Sequence, residues 1–88
     1  MISTEQVNAI MAKIETMGLN DWTVSELRQQ YQPIHFTYCM DDDLPNNTPV
    51  IERKDFNLYL IDGREHCLCL TNDYEAATGI VVAEIIPD

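Results

Sequence analysis

The chain has 88 residues, and five Lys and Arg against fifteen Asp and Glu give it a formal net charge of -10. Nucleic-acid affinity rests on neutralising phosphates with basic side chains, so this balance excludes nucleic-acid partners and, by the same repulsion, anionic membrane surfaces. The length allows one domain, residues 1–88, and 45% apolar residues give it a core, although so short a chain keeps a thin stability margin.

The first residues, Met1 to Gln6, carry no basic stretch and no apolar run of signal-peptide type. No apolar run anywhere approaches the ~20 residues of a membrane span, so a cytoplasmic protein is expected. From Ser3 to Met17 the spacing predicts a helix: Val7, Ile10, Met11, Ile14 and Met17 fall on one stripe at helical period. Ser3 and Gln6 stand at capping-box spacing, Glu5 suits the helix dipole, and Gly18 can close the last turn. Thr23, with Glu26 three residues on, opens a second helix of about two turns, carried by Val24, Leu27 and Tyr31 and stopped before Pro33. Trp22 reads as a partly buried anchor at the junction.

Ile34 to Cys39 alternates at period two and predicts a half-buried strand, with Ile34, Phe36 and Tyr38 on one face. Residues 40–49 form a polar, turn-rich loop of a length that compact domains reserve for function or mobility. Val50 to Glu52 adds a short extended piece. Then two runs rich in apolar and aromatic residues, Phe56–Ile61 and Glu65–Leu70, flank Asp62-Gly63, a strong hairpin signal.

A two-residue turn there pairs Leu60 with Glu65, Leu58 with Cys67 and Phe56 with Cys69, placing both cysteines in the core. A three-residue turn with a bulge at Gly63 sends Leu68 and Leu70 inward instead and exposes the thiols. The first register is preferred. Asn72 with Glu75 predicts a short helix closed by Gly79. Ile80 to Ile86 is β-branched and reads as a last strand halted by Pro87, with a helix through Gly79 as the competing reading.

The expected fold is therefore α+β: two N-terminal helices packed on a three- or four-stranded antiparallel sheet around a central Asp-Gly hairpin. Both faces of that hairpin are apolar. One helical layer covers one of them, so the other needs the C-terminal segment or a second copy in a homodimer.

Chemistry is sparse. Three cysteines is an odd number, and Cys67 and Cys69 are badly placed for a bridge to each other, so reduced thiols are expected. His66 points away from both if the strand is regular, and His35 and Cys39 stand about 13 Å apart on theirs, so no metal site or cofactor is expected. Asp41-Asp42-Asp43 lacks the spacing of a calcium loop. No oxyanion-hole or strained-turn signature accompanies the cysteines, and no enzyme is expected.

The hairpin and its sequel, Asp55–Gly63 with His66-Cys67-Leu68 and Asp73…Glu75-Ala76-Ala77-Thr78-Gly79, resemble families of small, acidic, uncharacterised bacterial proteins. The resemblance implies a bacterial, cytoplasmic protein and brings no activity with it. The leading expectation is a non-enzymatic interaction or accessory module docking a basic protein, centred on Asp41, Asp42, Asp43 and Leu44. The alternative is a metal- or redox-responsive protein using Cys39, Cys67 or Cys69.

Overall fold

Ser3 sets the start of α1 (Thr4–Met17) through both halves of the capping box: its hydroxyl accepts from Gln6 N at 3.0 Å, and Gln6 Oε1 accepts from Ser3 N at 2.9 Å. The residues described in this computed structural model are 2–44, 46–63 and 69–86. Val7, Ile10 and Ile14 are the buried stripe of α1, and Gly18 closes it with a φ of +86°, the left-handed region glycine tolerates.

The cap of the second helix lies three residues earlier than expected. The cap of α2 (Asp21–Gln30) is Asn20, whose Oδ1 accepts from Thr23 N at 2.9 Å. Thr23 lies inside the helix and turns its hydroxyl back to Gly18 O at 2.6 Å, fully buried. The anchor of this junction is thus Thr23. Trp22 is 70% exposed, a correction to its expected burial.

Among the described residues five strands follow: β1 (His35–Met40), β2 (Ile51–Glu52), β3 (Phe56–Asp62), β4 (Cys69–Thr71) and β5 (Gly79–Glu84). The sheet order is β1-β5-β3-β2, with β4 also on β3. It is mixed: β1 runs parallel to β5, and the other pairs are antiparallel. The α+β class and the two N-terminal helices are as expected, and residues 79–84 are strand. Among the described residues no helix is long and apolar enough to cross a membrane.

The tight hairpin is not formed. Leu60 pairs with Thr71, Ile61 with Leu70 and Asp62 with Cys69, so neither expected register occurs. Phe56 and Leu58 instead face Glu84 and Val82 of β5. The physical reason is competition along one edge. β2 takes that edge of β3 at Asn57 and Leu58, which leaves only Leu60 to Asp62 for β4, while β5 ladders along the other edge from Phe56 to Ile61. Gly63 is drawn the same way, donating its N–H to Thr78 Oγ1 at 2.9 Å just before β5. Cys69 is exposed, not in the core, and Cys67 and His66 lie outside the described residues.

The short helix expected after Asn72 is a single turn. Its acceptor is Asp73: the carboxylate takes Glu75 N at 3.0 Å, and the carbonyl takes Ala76 N and Ala77 N. The turn stops there because Thr78 O must accept His35 N at 3.2 Å, which starts the parallel ladder.

Two layers of side chains result. On one face Phe36, Phe56, Leu58, Leu60, Ile80 and Val82 pack with the buried stripes of both helices. On the other, Tyr59, Ile61, Val81 and Ala83 form a second cluster joined by Cys39, Leu44 and Leu70. This second face is roofed by the chain's own loop: a 3-10 turn, Asp41–Asp43, and Leu44 behind it. The strap thus supplies part of the cover that the sequence reading assigned to the C-terminal segment or another subunit.

Candidate functional site

The acidic run after β1 divides into two roles. Asp41 turns inward: one carboxylate oxygen accepts from Tyr59 Oη at 2.8 Å and from Asn57 Nδ2 at 3.0 Å. Both donors are buried residues of β3, and burying a donor without a partner costs more than the bond itself returns. Asp41 is thus the pin that holds the strap on the second face. Leu44 is half-buried against that face, while Asp42 and Asp43 are exposed. Of the four residues singled out from the sequence, two face solvent and two hold the loop in place.

Cys39 lies on the same face, half-buried beneath this strap. Burial pushes its thiol up from the ordinary value, and the charges of Asp43 and Asp41 push it further in the same direction. The thiolate is the reactive species, so this shift lowers its share near neutral pH. In a Cys67→Ser/Cys69→Ser background, native Cys39 is expected to alkylate at pH 8 at least about tenfold more slowly than in denaturant. Equal rates in the two states would mean that the strap does not shield it.

His35 and Cys39 sit at opposite ends of β1, as the strand geometry requires. Among the described residues no three His, Cys, Asp or Glu side chains converge on one point. A cleft of about 780 Å3 opens at the start of β1, between Arg28, Gln32, His35, Thr37, Ile61 and Thr78. It joins an apolar floor to one guanidinium and brings no described cysteine to His35.

Three of the described cations have partners within the chain. Arg53 Nη2 pairs with Glu15 at 2.6 Å, Lys13 bonds to Gln30, and Arg28 donates to Phe36 O. Lys54 is exposed beside Arg53, and Arg64 lies outside the described residues.

The sequence reading did not bring Trp22, Tyr38 and Glu84 to one end of the molecule. Arg28 sits beside Phe36, and Asp21 lies within electrostatic reach of Tyr38, so α2 runs antiparallel to β1. That brings the start of α2 to the end where the acidic run leaves β1. Trp22 is 70% exposed there, and Tyr38, 43% exposed, bonds through its hydroxyl to Glu84. The Glu84 hydrogen bond, with lesser help from burial and nearby charge, raises the Tyr38 phenol above its ordinary range, so it stays neutral. The signal for Trp22 was present in Asn20. With the helix starting at Asp21 and about 100° per residue, Trp22 falls roughly 200° from Val24 and 140° from Leu27, on the outward face.

No curated protein and no solved structure is significantly similar to this chain. A family model does match, over residues 9–85, which takes in most of α1, all of α2 and the five described strands. The chain belongs to DUF6129, a family of unknown function.

Proposed function

We propose that the protein is a non-enzymatic docking module for a basic protein partner. The observation that carries this reading is Trp22, the large indole 70% exposed on the outward face of α2, with Asp21 beside it and Glu26 one turn on. Tryptophan is enriched among the few residues that carry binding energy, and its ring face attracts Lys and Arg. Asp42 and Asp43, exposed at the same end, add charge that steers a cationic surface toward it. A net charge of -10 exceeds the magnitude of about 2–8 that keeps a small domain soluble, and that excess supports a charge-reading role.

Trp22 is the chain's one tryptophan, so its fluorescence reports the site directly. Titration with a Lys/Arg-rich peptide is expected to shift that emission saturably, with weaker binding as salt rises past ~0.15 M, where the Debye length is ~8 Å. Asp42→Asn with Asp43→Asn should slow association and leave the thermal midpoint nearly unchanged. Trp22→Ala, followed by calorimetry, should speed dissociation about tenfold or more. Binding that ignores salt and both sets of substitutions would overturn the proposal.

A further inference from the structure

Among the described residues, strand β1 is paired on one side only, with β5. His35 donates its N–H to Thr78 O beside β5, so residues 35, 37 and 39 turn their backbone groups inward. Alternation then aims those of Phe36, Tyr38 and Met40 at the free edge. Arg28 confirms the direction, reaching around to Phe36 O with Nε at 3.4 Å and Nη2 at 3.1 Å. The edge His35–Met40 contains no Pro, Lys, Asp or Glu, the residues that natural sheets use to blunt such an edge.

We propose that this edge pairs antiparallel with the same edge of a second copy, about a two-fold axis through Tyr38. The charges flanking it select that partner and that register. Arg28 stands beside Phe36, and Asp21, seven residues back along α2, lies about 10.5 Å further on at ~1.5 Å per residue. Tyr38 is about 6.6 Å beyond Phe36 at ~3.3 Å per residue, within roughly 2 Å of the midpoint between the two charges. A two-fold through Tyr38 therefore brings each Arg28 toward Asp21 of the other copy.

The neighbouring registers are penalised. An axis through Phe36 sets Arg28 against Arg28, and one through Met40 sets Asp21 against Asp21 and crowds the two acidic runs. Tyr38 itself exchanges both backbone bonds with its counterpart at the axis, a self-complementary contact of the kind two-fold dimers use. Phe36 O, already engaged by Arg28, has a second lone pair for the incoming Met40 N–H. The two Glu84 carboxylates each lie one strand in from the edge. Their backbones stand three strand spacings apart across the sheet and four residues apart along it, about 20 Å, beyond the screening length at ~0.15 M salt.

Sedimentation velocity over a concentration series up to about 0.5 mM, in ~0.15 M salt, tests this. The expected result is a concentration-dependent shift from the 10.1 kDa chain to a species of twice that mass. Asp21→Arg and Arg28→Asp should each weaken self-association about tenfold or more, and the double swap should restore it to within about threefold. Asp21 is exposed, so its effect is separable from folding, and far-UV circular dichroism checks Arg28→Asp, which also loses the Phe36 contact. Wild-type protein that remains a 10.1 kDa species throughout would overturn the proposal and leave the edge to an extended segment of another protein. So would a dimer indifferent to the single swaps, or one that the double swap fails to restore.

Discussion

Gly79→Ala is expected to lower stability by about 3 kcal/mol, read as a shift of the urea midpoint, although alanine usually suits a strand better than glycine. A Cβ at this position would stand 2.8 Å from His35 O and 3.2 Å from His35 Cβ. The first of these is backbone within the parallel pair and cannot swing aside as a long side chain would. Relief requires β1 and β5 to part where His35 N reaches Thr78 O and the ladder begins. The demand here is for space alone, since the φ of Gly79 lies outside the left-handed region. Gly18 makes the opposite demand and serves as the control: its φ is +86°, but an added Cβ meets nothing nearer than 3.6 Å. Gly18→Ala should therefore cost only the backbone strain, about 1–2 kcal/mol. A Gly79→Ala midpoint no lower than that of Gly18→Ala would show that the strands yield.

That glycine illustrates which parts of the fold the sequence could disclose. Gly79 was expected to close a helix because Asn72 and Glu75 carry the right spacing for one. The close approach of His35, more than forty positions away, leaves no local trace. Elements whose evidence lies within one turn or one strand were legible: the stripe and cap of α1, the alternation of β1, and the β-branched run of β5. Pairing was not, because a parallel partner is chosen by packing across the whole chain. Asp62-Gly63 misled for the same reason, its local turn preference yielding to the pairing that β2 and β4 divide between them along that edge of β3.

The candidate site divided along similar lines. The exposed acids Asp42 and Asp43 could be read as a charged loop from composition. The inward use of Asp41 could not, since it depends on Asn57 and Tyr59 of a strand that follows only later in the chain. Trp22 turned on a shift of helix start. Moving the cap from Thr23 to Asn20 carries the indole from a junction to the outward face of α2.

Asp41→Ala is expected to destabilise the protein by about 2–3 kcal/mol, a cost set less by the lost bonds than by what they leave behind. Tyr59 is 3% exposed and Asn57 9%, so neither donor regains water when its acceptor is removed. Pairing the substitution with Tyr59→Phe separates the terms. With the hydroxyl absent, removal of Asp41 should cost measurably less, and the coupling in a double-mutant cycle should reach about 1 kcal/mol or more. Additive effects would mean that the strap is held by Leu44 packing alone.

The pH dependence gives a second readout. Burial raises the Tyr59 phenol above its ordinary range, and the hydrogen bond to Asp41 and its charge act in the same direction. The folded state therefore binds this proton more tightly than the unfolded chain does. The resulting stability is fully present below the unfolded value of about 10 and is lost as pH rises through the higher folded value. Wild-type stability should fall above about pH 10, and Tyr59→Phe should fall less steeply. Ionisation of Tyr59 would turn the donor to Asp41 into a second negative charge against it. The strap Asp41–Leu44 should lift first, and Cys39 beneath it should become alkylatable in the same pH range before the helices unfold. Thiol exposure that appears only with global loss of helix would show that strap and core come apart as one unit.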